Sequence, residues 1–377
     1  MTQSLERVFV SASSSISALG KQQDLFNGSD AAHISSVPVG KQQALYYAIK
    51  DTPLNKSFDL MISLLITQVD LLLAQTQLNE AQLQKTMLFI GSTSLDVGCV
   101  KSDDSKAIWM SKIDKIGQCI VDHFSLDSIH FTFNTACTAG ANALLYATNL
   151  IKQKQIDNAI VIGFEFFNQL SLNGFESLDL ISKTGLKPFA STRDGIVLGE
   201  GIGAVLLSKH QPKNPSEKVY LEILGGYSSC DDHSLTITEE KGVHVVEVIE
   251  KSLLNVGLQK QDIDLIKTHG TASFKGDLAE YNALHQLFNN IPNVCAFKSL
   301  IGHTLGACGV LELALFDHFN RYTYLPELPY QKENTDPLLL SFATSATQLE
   351  KSKNILFNHF GFAGNNAALI ITQQKLP

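Results

Sequence analysis

The sequence predicts a layered α/β fold built from two similar halves. Apolar runs of strand length alternate with longer segments of helical period along most of the 377 residues. That alternation implies parallel strands joined by crossover helices. A polar stretch with two prolines, residues 209–218, separates two such series. A helix rich in small residues occurs once in each series, at 139–150 and at 305–319, so each half is expected to bury a central helix between sheets. No short repeat period is present, which excludes a solenoid.

The elements follow in order. Residues 7–10 read as a short buried strand, followed by a serine-rich loop. Residues 21–56 are polar and weakly patterned, which predicts loop with short helices. The first strong helix is predicted at 59–77, and a strand at 87–90 runs into the small-residue loop GSTS. A helix is expected at 107–124. The run FTFNTACTAGANALLYATNL, residues 131–150, then reads as a strand ending in Asn134-Thr135-Ala136, a cysteine at the junction, and a buried helix. Strands are predicted at 158–163 and 204–208, the second after the glycine-rich FASTRDGIVLGEGIG. The second series has strands at 219–224, 263–267 and 294–297, with helices at 242–256, 277–289 and 305–319. Strands at 355–357 and 367–372 close the chain around a glycine-rich turn.

Bulk properties narrow the function classes. A hydrophobic fraction of 44% and a charged fraction of 18% describe a globular protein with a large interior. A formal net charge of −8 argues against nucleic acid as a partner. The six cysteines (99, 119, 137, 230, 295 and 308) are scattered without a CxxC pair, so neither a metal site nor a disulfide framework is expected. Asp70, Gln68 and Gln75 interrupt the most apolar stretch, 58–78, which therefore reads as a core helix and not a membrane span. The N-terminus lacks the pattern of a signal peptide. The expectation is a reduced, cytoplasmic enzyme.

Three residues stand out chemically. Cys137 lies at a strand-to-helix junction, where free backbone N–H groups and the helix dipole favour a thiolate. On that stretch alone a buried structural cysteine is an equally good reading. His269, in KTHGTASFKGD, and His303, in FKSLIGHTLGACG, are each flanked by glycine at the end of a predicted strand or before a helix. Reacting groups of layered α/β folds collect at such ends. A thiol protease leaves the second histidine unexplained, and zinc ligation lacks a closely spaced ligand pair. An acyl-transfer enzyme fits better, with the thiolate accepting an acyl group and two histidines stabilising an enolate or oxyanion.

The motifs TACTAG, PFASTRDGIVLGEGIGAVLL, THGTASFKGDLAE, KSLIGHTLGACGVLE and NHFGFAGNNAALI occur in an order and spacing that resemble the β-ketoacyl-acyl-carrier-protein synthases of the thiolase superfamily, in their elongating Cys-His-His branch. The likeness is strong over about 131–371 and weak before it. It implies the five-layered αβαβα thiolase fold, with an N-terminal half, 1–210, carrying the nucleophile and a C-terminal half, 219–377, carrying both histidines. It implies Cys137 as the acylated nucleophile, and His269 and His303 as donors to the malonyl thioester oxygen. Lys298 would hold the polar network together with Glu312 in support, and Thr271 and Ser273 would bind the pantetheine arm. The backbone N–H groups of Cys137 and Phe362 would form the oxyanion hole, with the Phe362 ring gating the sulfur. No cofactor is implied, because substrates ride the phosphopantetheine arm of an acyl carrier protein. The implied assembly is a homodimer, or a heterodimer with a second ketosynthase-like subunit, paired through the strand ending near Phe133. The implied pathway is fatty-acid or polyketide and polyene synthesis.

The chain departs from the family pattern at supporting positions. The usual Gly-Phe-Gly-Gly-Thr-Asn is Gly361-Phe362-Ala363-Gly364-Asn365-Asn366, and Ala363 is restrictive if its φ is positive. Pro188-Phe189-Ala190 lacks the usual aspartate, Asn134 replaces an acidic residue, and Ser11-Ala12-Ser13-Ser14 stands in place of a glycine-rich turn. These departures keep a second reading open, a chain-length factor that shapes the tunnel of a catalytic partner. Such subunits typically lose the cysteine, and this chain retains it. A thiolase acting on coenzyme A is disfavoured, because its late second cysteine is absent from the GFAGNN turn. Lys275 is a candidate residue at the pocket lip for an acidic carrier protein.

Overall fold

The computed structural model describes residues 5–25, 32–99, 114–212, 219–236, 238–321, 325–326 and 352–375. In chain order the N-terminal elements are β1 (Phe9–Ser17), β2 (Gly20–Lys21), β3 (Ile34–Val39), β4 (Gln42–Tyr47), α1 (Phe58–Leu73), α2 (Glu80–Leu83), β5 (Met87–Gly91), α3 (Lys115–Phe124), β6 (His130–Phe133), α4 (Ala139–Lys152), β7 (Asn158–Glu165), α5 (Gln169–Ser177) and β8 (Gly201–Ser208). There follow β9 (Val219–Cys230), α6 (Val243–Val256), β10 (Leu265–Lys267), α7 (Phe274–Leu287), β11 (Asn293–Cys295), α8 (Lys298–Ile301), α9 (Cys308–Arg321), β12 (Asn354–Phe360) and β13 (Asn365–Lys375).

The strand order is β6-β5-β7-β8-β1 in the first half and β11-β10-β12-β13-β9 in the second. The two orders correspond strand for strand. In each half three strands are parallel (β6, β5, β7 and β11, β10, β12) and the last two run antiparallel. A short antiparallel contact, Phe9 opposite Glu222 and Val10 opposite Leu221, joins the halves.

Alternate residues of the central strands enter different cores, which is why these strands read as unbroken apolar runs. Phe89, Val161 and Val205 face a middle core shared with α4, α9 and the second half's Ile355, Phe357 and Leu369. Leu88, Ile90, Ile160 and Ile162 face outward onto Met61, Leu65 and Val69 of α1 and Ile116 and Ile120 of α3. Leu356, Ala368 and Ile370 face the opposite outer core with Val245, Val248 and Ile249 of α6 and Leu284 of α7. Helices, sheet, paired helices, sheet and helices make the five layers of the thiolase fold.

The two small-residue helices form the middle layer, and their composition is steric. A Cβ added at Gly309 of α9 would lie 2.2 Å from the Ala141 nitrogen of α4, so the helices touch backbone to backbone.

The N-terminal third departs from the sequence reading. The serine-rich stretch is not a loop but the body of β1, paired along its length with β8. Two of its buried hydroxyls are satisfied from opposite sides: Ser13 Oγ donates to Asp317 Oδ2 at 2.6 Å and Ser14 Oγ donates to the Gln68 carbonyl at 2.7 Å. Residues 34–47 form the hairpin β3–β4 where loop and short helices were expected. Its Val37, Val39, Ala44 and Tyr46 pack in the same cluster as Cys137, Leu198 and Leu305, so the hairpin walls the nucleophile. The helix expected from residue 107 is described from Lys115, and 107–113 lie outside the described residues.

Candidate active site

The chain places Cys137, His269 and Phe362 just past the carboxyl ends of parallel strands and brings them with His303 around one pocket, with Lys298 and Glu312 behind it on α8 and α9. Cys137 follows β6 in a 3-10 turn, Ala136–Thr138, just ahead of α4. His269 follows β10, and Phe362 lies just past β12. His303 follows α8 and is held as a backbone bridge: its N–H donates to the Val197 carbonyl at 2.8 Å and its carbonyl accepts from Gly199 at 3.1 Å. The pocket has a volume of about 360 Å³; Cys137, His269, His303, Thr271, Ser273 and Phe362 line its reactive side. Phe175, Leu178, Leu180 and Ile196 make an apolar wall.

At the centre His303 Nε2 lies 3.2 Å from Cys137 Sγ. The backbone N–H of Phe362 also donates to that sulfur. A Cβ at Gly361 would come within 3.1 Å of the Cys137 nitrogen, so glycine there keeps that amide open to the pocket. Burial raises the Cys137 thiol well above its ordinary value. This corrects the expectation of a resting thiolate: the loss of water outweighs the favourable field of Lys298 and the Phe362 amide.

His269 and His303 meet edge to face, ring centroids 5.5 Å apart. Burial, reinforced by Lys298, holds both far below the usual imidazole range, so both are neutral. Lys298 Nζ approaches His269 Nδ1 at 3.5 Å, a long contact that assigns Nδ1 as acceptor and leaves the proton on Nε2. His303 Nδ1 is buried without a partner. An unpaired acceptor is cheaper than an unpaired N–H, which again puts the proton on Nε2.

Buried carboxylates fix the loops that carry these rings. Glu280 accepts from the N–H groups of His269 (2.9 Å) and Gly270 (3.0 Å). Asp277 accepts from Thr271 (2.9 Å), Ala272 (3.1 Å) and Phe189 (2.6 Å), and burial pushes its carboxyl up to about 7. Glu165 binds the N–H groups of Thr93, Ser94 and Gly306 and is also raised to about 7 by burial. Glu312 is ion-paired to Lys298 at 2.7 Å through Oε1 and to Lys267 at 2.5 Å through Oε2. Thr271 Oγ1 and Ser273 Oγ lie 2.9 Å apart on the pocket wall, and Ser273 stands at the N-cap position of α7 without a side-chain cap bond.

The supporting departures have structural counterparts. Ala363 does adopt a left-handed conformation, φ 57°, and its N–H donates to the Leu235 carbonyl at 2.8 Å. Ala136, Ala272 and Leu305 are also left-handed, so each loop bearing a candidate group carries local backbone strain. At Ala190, where the aspartate is absent, Arg193 Nη1 donates instead to the Ala190 carbonyl at 2.9 Å. Asn134 Nδ2 donates to the Thr93 carbonyl at 2.9 Å. Lys275 reaches the pocket lip but pairs with Glu240 at 3.2 Å.

Sequence reasoning passed over Lys267, His359, Cys308, Glu280 and Glu165. The available signal was a charged or imidazole side chain inside an apolar strand: Lys267 ends β10 and His359 lies within β12, both fully buried.

Comparison with known proteins converges on one family. Its N-terminal domain model, β-ketoacyl synthase, matches residues 34–213, and its C-terminal domain model matches 220–326. The chain is 30% identical over 259 residues to the chloroplastic 3-oxoacyl-[acyl-carrier-protein] synthase II of Arabidopsis thaliana, an alignment covering 65% of this chain and 48% of that protein. It spans about half the length of the curated relatives it matches. Among solved structures it resembles a ketosynthase in complex with its chain length factor from Xenorhabdus doucetiae (TM-score 0.77, 22% identity, 97% of this chain and 98% of that one). It also resembles a chain from a type II polyketide synthase acyl carrier protein in complex with its ketosynthase (TM-score 0.81, 18% identity, 98% and 99%). At these identities the structural likeness is one of fold.

Proposed function

The chain belongs to the β-ketoacyl synthase family, and from that membership we propose that it catalyses the decarboxylative Claisen condensation of malonyl-acyl carrier protein with an acyl group held on Cys137. The observation that carries this reading is the pairing of a buried thiol, 3.2 Å from His303 Nε2, with two neutral imidazoles whose Nε2–H groups serve one pocket. A neutral imidazole donates a hydrogen bond to a developing enolate without protonating it outright.

In the first half-reaction Cys137 Sγ attacks the acyl thioester. The backbone N–H groups of Cys137 and Phe362 hold the tetrahedral oxyanion, the pantetheine sulfur leaves, and the thiol proton follows it. Thioester exchange is therefore proton-neutral, and a thiol that rests protonated suits it. In the second half-reaction His269 and His303 donate to the malonyl thioester oxygen as the bond to the carboxylate breaks and CO2 leaves. The enolate carbon attacks the acyl-Cys137 carbonyl, and the β-ketoacyl thioester departs. The thiolate of Cys137 then takes up one proton. Preplaced donors on the enolate oxygen supply about 3–4 kcal/mol each in a water-excluded site. Thr271 and Ser273 are the proposed contacts for the pantetheine arm, and Phe362, 5.3 Å from Phe175 between ring centroids, is the proposed gate.

The proposed partners are an acyl carrier protein and a second synthase subunit, either another copy or a ketosynthase-like partner. The six cysteines are free, which suits the proposed cytoplasmic setting. Among the described residues no helix is long and apolar enough to cross a membrane. The test is condensation of acyl- and malonyl-acyl carrier protein by the purified protein, with and without whatever co-purifies from the native cell. Intact mass should show one acyl adduct, lost in Cys137→Ala. His269→Ala and His303→Ala should still acylate but lose decarboxylation. Full condensation by a complex carrying Cys137→Ala would reassign this chain as a chain-length factor.

A further inference from the structure

Beside the reacting groups lies a second buried polar cluster that the proposed mechanism does not use: Lys267, His359 and Cys308, each without solvent exposure. Lys267 Nζ meets Glu312 Oε2 at 2.5 Å and the Asn358 carbonyl at 2.8 Å, and it sits against the His359 ring, 3.4 Å from Nδ1 and 3.3 Å from Nε2. Burial pulls the Lys267 ammonium below its ordinary value, and the Glu312 carboxylate opposes that. The buried ion pair with Glu312 describes a charged Lys267. The other oxygen of Glu312 binds Lys298, so two buried cations share one carboxylate.

Among the described residues no other carboxylate is ion-paired to either lysine. Burial and the lysines hold His269, His303 and His359 neutral. Glu280 is the other buried carboxylate that feels Lys267, and its oxygens bond the backbone N–H groups of His269 and Gly270 and the Asn358 side chain. The groups that act on the Cys137 sulfur from the surrounding elements are His303, Lys298, Cys308, Glu165 and the Phe362 N–H. Lys298 is the cation among them, and a carboxylate of its own would neutralise much of its field there.

We propose that Lys267 is a positioning residue that acts through Glu312 and Lys298: by occupying one carboxylate oxygen it leaves Lys298 with uncompensated positive charge toward Cys137, and so favours the anion that forms at that sulfur. The same cluster braces the nucleophile's backbone, because Cys308 Sγ donates to the Cys137 carbonyl at 3.1 Å and lies 3.7 Å from His359 Nδ1. The proposal rests on Cys137 being the nucleophile.

The test is iodoacetamide alkylation of the full chain, followed site by site by mass spectrometry from pH 6 to 10, for wild type, Lys267→Met and Lys298→Met. Lys267→Met should slow alkylation of Cys137 about tenfold at a given pH, equivalent to a thiol pKa about one unit higher. Lys298→Met should slow it in the same direction, and exposed Cys230 should keep its rate in all three proteins. An unchanged Cys137 profile in a Lys267→Met protein that melts cooperatively overturns the role of Lys267 while leaving the nucleophile in place. Absence of Cys137 labelling in wild type overturns both. Should Lys267→Met not fold, NMR of wild type carrying 13Cε-labelled lysine decides. The proposal requires every lysine to show the charged signal at pH 7, and one neutral-amine signal overturns it.

Discussion

Glu312 shows how much a single side chain settles in this site. Its two oxygens bind Lys267 and Lys298, all three groups fully buried. Removing one member of a buried ionic cluster leaves charge without compensation, which costs about 3–5 kcal/mol. Glu312→Ala should therefore lower the urea midpoint of unfolding by that equivalent, whereas Lys275→Ala, which breaks an exposed pair with Glu240, should change it by less than about 1 kcal/mol. The histidines make a pH prediction. Their folded pKa values are depressed by burial, so in this term the folded protein binds fewer protons than the unfolded chain. That contribution is full above about pH 6.5 and is lost as the pH falls below it. His359→Gln removes one of the three groups, so the loss of urea stability between pH 7.5 and 5.5 should be smaller in that variant than in wild type. An equal or larger loss would mean that His359 is charged in the fold.

Elements, not single residues, bring the reactive groups within reach of one another. The 3-10 turn before α4 and the loop before α9 meet only because the two helices cross backbone to backbone at Gly140 and Gly309. Gly309→Ala would put a methyl 2.2 Å from the Ala141 nitrogen, a contact neither helix can relieve by changing a rotamer. It should destabilise the fold by about 3 kcal/mol or more, read by urea denaturation, and move His303 away from its place beside Cys137, read as lost malonyl decarboxylation. The turn after β12 is the opposite case. Ala363 at φ 57° stores about 1 kcal/mol of strain, and Ala363→Gly should relieve it with little net change in stability. Ala363→Val should lower the melting temperature, because a β-branched side chain tolerates that conformation worst.

For the whole molecule the exposed edge of the first half is the decisive feature. β6 ends the strand order, and among the described residues no strand pairs with its outer side. Phe131 and Phe133 are only half-buried, Tyr146 is 42% exposed against them and Ile129 53% exposed beside them. An aromatic edge strand of this kind calls for a partner. A dimer through β6 is the expected state, and light scattering should show Phe131→Asp shifting it toward monomer. Wild type that scatters as a monomer at micromolar concentration would refute that pairing.

The sequence by itself determined the layered α/β class and the two series of elements, and it singled out the candidate residues Cys137, His269, His303 and Lys298, which the fold brings into contact. It could do so because each lies in a short local pattern, an apolar strand ending in small residues and glycine. It also anticipated that Ala363 would matter if its φ were positive, as it is. It did not determine that residues 34–47 form a hairpin or that the serine-rich stretch is a strand, because pairing partners overrode weak local patterns there. Nor did it determine the charge state of the site. Local position at a helix start argued for a thiolate, and burial from every side reversed that. The sharing of Glu312 joins residues 14 and 45 positions apart, and His359 meets Lys267 across 92. Burial and long-range electrostatics are sums over neighbours that only the tertiary fold assembles, so they were decided there.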